Sequence, residues 1–192
     1  FSRDLPIQPN YVGKIVDALE SEKVVVEWEE NTHKDRVLIR SPSVETYDQK
    51  PEMSCHEVCG ALIKAILSER YQFILVNFAN PDMVGHTGNF HATREACEAL
   101  DVCLGKILES LEYTNSIMLL TSDHGNAELM YDEELKMPHT RHTLNPVPFH
   151  LIGSTNTFTL QPDGRLCDIA PTILELLEVK KPREMDGMSL LR

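Results

Sequence analysis

The sequence predicts an α/β fold, a mostly parallel sheet with helices on both faces, and three observations predict it. Phe73-Ile74-Leu75-Val76 is an apolar run within a strand candidate at 73–78, and 116–121 is a continuous run of strand length, the mark of a strand covered on both faces. Between them, residues 93–111 carry apolar side chains at helical spacing: Cys97, Leu100, Leu104, Ile107, Leu108 and Leu111 form one stripe. Each run also ends in a short loop that holds an aspartate and a histidine. Such loops, outside the carboxyl ends of strands, are where α/β proteins place their ligands.

The remaining elements follow in order. Residues 1–9 are polar, hold two prolines and read as loop. From Asn10, a suitable N-cap, Val12, Ile15, Val16 and Leu19 recur at helical spacing. Val24-Val25-Val26-Glu27-Trp28 reads as a strand, residues 29–35 as a polar turn and Arg36-Val37-Leu38-Ile39 as the hairpin partner. A loop with prolines near both ends, residues 41–51, leads to a helix starting at Ser54. There Glu57 completes a capping box, and Val58, Ala61, Leu62, Ala65 and Ile66 form the expected buried face. After the central strand–helix–strand unit, residues 127–141 have no apolar period and read as a surface excursion. A third apolar run at 147–152 is a strand candidate, and 155–160 a short one. Asp168 is the expected N-cap of a helix that has Pro171 in its first turn and runs through Leu177. An irregular tail, residues 182–190, closes the chain.

Composition narrows the function. The 192 residues suffice for one large domain, and no apolar run reaches the 18 residues of a membrane span. A net charge of −12 argues against nucleic acid, whose phosphates require clustered Lys and Arg. The five cysteines (55, 59, 97, 103 and 167) lack the paired spacing of a structural zinc site and read as reduced, buried thiols of a cytoplasmic protein. The start, Phe1-Ser2-Arg3-Asp4, has no signal-peptide order and reads as a cut into a longer chain.

The polar residues at the strand ends carry the chemistry. Asp82 and His86 follow the first run, Asp123 and His124 the second, and His142 precedes the third, with His139 competing for its role. Taken singly, Asp82 could be a helix cap with His86 a solvated neighbour, and Asp123-His124-Gly125 a turn. Taken together, two carboxylates and three imidazoles with no thiolate suit manganese, zinc or iron. They suggest two ions in one cleft, the arrangement used for in-line phosphoryl displacement. Glu128 and the run Asp132-Glu133-Glu134 read as a solvated face, and His33, His56, His91 and His150 as surface or core residues.

The blocks Pro81-Asp82-Met83-Val84-Gly85-His86-Thr87-Gly88 and Thr121-Ser122-Asp123-His124-Gly125-Asn126-Ala127-Glu128, with His142-Thr143 and Pro146-Val147-Pro148, resemble cofactor-independent phosphoglycerate mutases of the alkaline phosphatase superfamily. Residues 41–48, Lys50-Pro51-Glu52-Met53-Ser54 and Asp168-Ile169-Ala170-Pro171-Thr172-Ile173-Leu174 are also similar to that family, so the likeness runs over about residues 36–190. It leaves residues 1–35 as a poorly matched N-terminal segment. It makes residues 36–192 the C-terminal part of an alkaline-phosphatase-like domain, incomplete in this chain.

The resemblance implies that Asp82, His86 and His142 hold one manganese, and Asp123 and His124 the second. It implies conversion of 3-phosphoglycerate to 2-phosphoglycerate through a phosphoserine. The family's Asn-Ser-Glu-Val-Gly-His type motif, which carries that serine, does not occur in the chain. The implied partners are therefore the substrate and the missing N-terminal part of the same enzyme, a monomer at full length. Lys23, in Glu20-Ser21-Glu22-Lys23, matches a family lysine that stabilises the transferring phosphoryl group. Ser43 and Arg141 depart from the family, which has a lysine and a small residue there. Another phosphomutase or a phosphatase of the superfamily, or a non-catalytic domain that kept the ligands, are the alternative readings.

Overall fold

The computed structural model describes residues 24–28, 35–153 and 158–192. The chain forms two compact units, Phe1–Glu45 and Thr46–Arg192. In the first, strands β1 (Val24–Trp28) and β2 (Asp35–Ile39) pair antiparallel, with Val24 opposite Ile39 and Trp28 opposite Asp35. This is the hairpin that the two β-branched runs imply. The helix expected from Asn10, Lys23 and most of the turn at 29–35 lie outside the described residues.

In the second unit, helix α1 (Cys55–Leu67) packs on helix α3 (Phe90–Thr114), while the short helix α2 (Asn80–Gly85) packs on the start of α3. The apolar phase of both long helices differs from expectation. In α1 the buried positions are Cys55, Cys59, Leu62 and Ile66, with Val58, Ala61 and Ala65 only half-buried. In α3 they include Ala92, Ala96, Cys103, Ile107 and Leu111, whereas Cys97 and Leu108 are exposed. Small side chains at the contact let the helix axes approach, so alanine and cysteine occupy places that a count of large apolar residues assigns to leucine. The main core joins these faces of α1 and α3. Ile74, Phe78 and Met118 pack against it from outside the helices.

Helix ends show how local sequence acts. Asn89 caps α3, its side chain accepting a bond from the Ala92 N–H at 3.2 Å, and Asn115 ends the helix in the left-handed conformation (φ 52°). The capping box at Ser54 does not form. A turn runs straight into α1, leaving Ser54 at φ −112°, ψ 25° rather than in the extended conformation that a capping side chain requires.

Strand β3 (Ile117–Thr121) forms where the second apolar run lies, and β6 (Phe149–Gly153) where the third lies. They pair antiparallel, Ile117 opposite Gly153 and Thr121 opposite Phe149. The surface excursion contains a minimal hairpin of β4 (Tyr131–Asp132) and β5 (Met137–Pro138). The α/β class stands, but every ladder among the described residues is antiparallel. Residues 73–79 form neither helix nor strand and join none of these ladders. Ile74 and Phe78 face the core, while Phe73, Val76 and Leu75 (83% exposed) are open. Apolar content showed that this run suits burial; it could not supply a neighbouring strand.

The C-terminal helix α4 (Ile169–Leu176) follows a 3-10 turn over Leu166–Asp168. Asp168 precedes α4 but does not cap it. Its carboxylate accepts the Arg165 N–H at 2.8 Å and the Met188 N–H at 2.9 Å, which ties the tail to the helix. Thr172 continues the clasp, donating to the Asp168 carbonyl at 2.7 Å and accepting the Leu190 N–H at 2.9 Å. The tail is irregular, yet Leu190 and Leu191 are buried. No helix among the described residues is long and apolar enough to cross a membrane.

Two predictions follow from this packing. Ile107 is 1% exposed at the α1–α3 contact, so Ile107→Ala should cost about 2–5 kcal/mol in urea unfolding, while Leu75→Ala should stay within about 0.5 kcal/mol. The backbone N–H groups of Met188 and then Arg165 hold the Asp168 carboxyl below the usual carboxylate range. Its contribution is therefore complete above about pH 4 and is lost as pH falls through the folded-state pKa. Asp168→Asn should lower the melting temperature at neutral pH, and the gap to the parent protein should close on acidification.

Candidate metal centre

Helix α2 sets the first two side chains. Asp82 stands in its first turn and His86 ends it, four residues later, so both lie on one face. His86 Nε2 is 3.3 Å from Asp82 Oδ1. The loop after β5 brings in His142, whose Nε2 lies 3.2 Å from the same oxygen and 2.9 Å from His86 Nε2. His86 Nδ1 is 2.7 Å from the Thr140 carbonyl. A carbonyl only accepts, so Nδ1 carries the proton and Nε2 presents a lone pair to the cluster.

Two ring nitrogens and a carboxylate oxygen thus face one another. Ligand atoms that sit about 2.0–2.2 Å from one ion are separated by about 3.0–3.5 Å, close to the distances among these three. The donor set and its spacing therefore fit a divalent cation.

The second Asp–His pair sits beside the first cluster. The His124 ring stacks on His142, with centroids 3.6 Å apart and planes 18° from parallel. Its Nδ1 is 4.0 Å from Asp82 Oδ1, buried and without a hydrogen-bond partner, and its Nε2 is 3.6 Å from Asp123. An orphaned ring nitrogen in a polar pocket fits a ligand position awaiting an ion. The Asp123 side chain is 87% exposed at the rim and does not join Asp82, His86 and His142. His139 does not join them either. Lys23 lies outside the described residues.

Several supporting groups escaped the sequence reading. Asn126 Nδ2 donates to Asp82 Oδ1 at 2.7 Å and orients the carboxylate. Gly85 makes room for it, since a Cβ there would collide with the Asn126 amide. Glu128, exposed as the sequence implies, also accepts bonds from the Thr143 hydroxyl and, at 2.9 Å, from Asn145 Nδ2. Partial burial would raise its carboxyl, but the bonds from Thr143 and Asn145 outweigh that and hold it low. The same strap pairs Gly125 with Thr143, whose N–H donates to the Gly125 carbonyl at 2.8 Å. A side chain at Gly125 would strike both Thr143 and Glu128. The residues next to His124 and His142 are thereby locked together. Asn126 and Glu128 had one signal, their place in the Asp123-His124 loop. The Thr140 carbonyl had none.

A sequence model of the metalloenzyme superfamily matches residues 11–181. The match begins inside the segment that the motifs left unmatched. Among curated proteins, the 2,3-bisphosphoglycerate-independent phosphoglycerate mutase of Ehrlichia ruminantium (strain Gardel) is 53% identical over 159 residues, 83% of this chain and 32% of that protein. The protein of the same name from Chloroflexus aggregans is 52% identical over 161 residues, 82% of this chain and 30% of its own length. A crystal structure of Leishmania mexicana phosphoglycerate mutase at low cobalt concentration superposes with a TM-score of 0.72 at 31% identity, covering 79% of this chain and 30% of the other. The chain thus spans about a third of the length of the relatives it matches.

The supporting bonds can be tested directly. Asn126→Ala and Glu128→Gln should each weaken divalent-metal binding about 10–100-fold in calorimetric titration, with the fold unchanged by circular dichroism.

Proposed function

Because the chain belongs to the metalloenzyme superfamily, we propose that it is the metal-holding C-terminal part of a cofactor-independent phosphoglycerate mutase, which interconverts 3-phosphoglycerate and 2-phosphoglycerate. The observation that carries this reading is the convergence of Asp82, His86 and His142 in a chain more than half identical to proteins of that name.

Asp82, His86 and His142 would hold one ion, and Asp123 and His124 would contribute to a second. Carboxylate and imidazole donors without thiolate suit manganese, zinc or iron, and manganese is the one among them that the family resemblance implies. When bound, such ions supply positive charge that polarises phosphoryl oxygens and offsets repulsion between the phosphate and an acidic protein. The chain's own residues do the positioning. Thr140 fixes the His86 tautomer, Asn126 aims the Asp82 carboxylate, and the Glu128–Thr143 strap sets the loops of His124 and His142. The side chains of Asp82, His86 and His142 are each a third to a half exposed, so the centre is open to a charged substrate.

In the reaction, a serine oxygen takes the phosphoryl group from the 3-hydroxyl of the substrate and then returns it to the 2-hydroxyl. That serine belongs to a part of the enzyme beyond this chain, a placement supported by the one-third span of the relatives. The partner of the chain is accordingly the remainder of its own polypeptide, acting as a monomer. A cytoplasmic setting is supported by five free cysteines, the state of thiols in a reducing compartment.

Purified residues 1–192 should bind two manganese ions per chain by metal analysis yet show no interconversion of phosphoglycerates. The full-length polypeptide should turn over 3-phosphoglycerate, and Asp82→Asn within it should abolish that turnover. Activity in the isolated chain, or full activity in the Asp82→Asn enzyme, would refute the assignment.

A further inference from the structure

The face of α1 that packs on α3 carries two thiols one helical turn apart, Cys55 and Cys59, and α3 meets them with Cys103; all three are buried. Cys103 Sγ lies 3.8 Å from Cys55 Sγ and 3.4 Å from Nδ1 of His56, whose residue is exposed at the edge of the contact. Around a tetrahedral zinc ion, with bonds of about 2.3 Å to sulfur and 2.0–2.1 Å to nitrogen, two sulfurs stand about 3.8 Å apart and sulfur and nitrogen about 3.5 Å. The two distances match those edges to about a tenth of an ångström. All three ligand atoms lie within 4.8 Å of one another.

We propose that Cys55, His56 and Cys103 form a second, thiolate-rich metal site for a zinc-class divalent ion, separate in residues and in donor type from the carboxylate–imidazole centre. On binding, two S–H bonds break and their protons go to solvent, two metal–sulfur bonds and one metal–nitrogen bond form, and no redox change occurs. The exposed His56 side offers the path of entry. Cys59 stands apart from the triad, its thiol donating to the Cys103 carbonyl at 3.6 Å. Such an ion would clip α1 to α3 at the centre of the main core.

An oxidisable thiol pair is the competing reading. The sulfurs stand well beyond the roughly 2.05 Å of a disulfide. Burial, reinforced by the neighbouring Cys103, also pushes the Cys55 thiol up to about 12 and the Cys59 thiol up to about 11. Thiolate is therefore scarce at neutral pH, which slows oxidation and equally requires an incoming ion to displace the thiol protons.

Cobalt(II) added to the reduced 192-residue chain distinguishes the outcomes, because only sulfur ligation gives a sulfur-to-cobalt charge-transfer band in the near ultraviolet. The site predicts that band at one equivalent, displaced by zinc and retained in an Asp82→Asn/His142→Ala variant. Cys103→Ala should abolish it. Should that variant not fold, His56→Ala, at an exposed position, should weaken cobalt binding at least about tenfold while leaving the circular dichroism unchanged. No charge-transfer band from the folded chain, a band untouched by the His56→Ala change, or a Cys55–Cys103 disulfide found by mass spectrometry in place of metal uptake would each overturn the proposal.

Discussion

One oxygen atom organises the candidate centre. Asp82 Oδ1 stands within 3.3 Å of His86 and His142, accepts the Asn126 amide at 2.7 Å and lies 4.0 Å from His124. These neighbours come from α2, the loop after β3 and the loop after β5. The Gly125–Thr143 bridge ties the two loops to each other, and no ladder ties either of them to α2. Their convergence on one carboxylate is a polar constraint, since nitrogen lone pairs and an anion repel unless a proton or a cation lies between them.

The scaffold behind this oxygen is apolar and continuous. Helix α3 touches α2 through Val84, Ala92 and Ala96, and α1 through Cys103, Ile107 and Leu111. A single 25-residue helix therefore backs both the loop that carries Asp82 and the main core. Asn80, fully buried at the start of α2, donates to the Ala96 carbonyl at 2.9 Å and fixes the height at which Asp82 emerges. The α2–α3 contact, a few small side chains and one buried hydrogen bond, is what positions the metal ligands, with the Gly125–Thr143 bridge doing the same on the opposite side.

How much of this was legible depends on what each signal encodes. Apolar runs located β3 and β6, because burial of a strand shows in its composition. Composition carries no direction, and their antiparallel pairing could not be read from it. The stripes of α1 and α3 were found but set at the wrong phase. Both helices carry large apolar residues on more than one face, and the true contact mixes Cys55, Cys59 and Cys103 with Leu62, Ile66, Ile107 and Leu111. Asp168 was recognised as a helix-entry residue, yet its carboxylate serves the tail, a contact twenty residues away that no local pattern contains. In the centre, Asp82, His86 and His142 stood out because ligand chemistry is restricted to few residue types. Glu128 is exposed, as its polar setting implied, but composition does not show that Thr143 and Asn145 bind it. The Thr140 carbonyl is invisible for a simpler reason: any residue could provide it.

The apolar segment at 73–79 has a consequence for the chain by itself. Its backbone N–H and C=O groups join no ladder among the described residues, and Phe73, Leu75 and Val76 project from it. Unpaired backbone beside exposed apolar side chains is what an added strand pairs with, the same segment of another molecule included. The segment also leads directly into Asn80 and Asp82. A strand added there would stiffen the backbone that carries the shared carboxylate, so whatever pairs with this run also acts on the metal ligands.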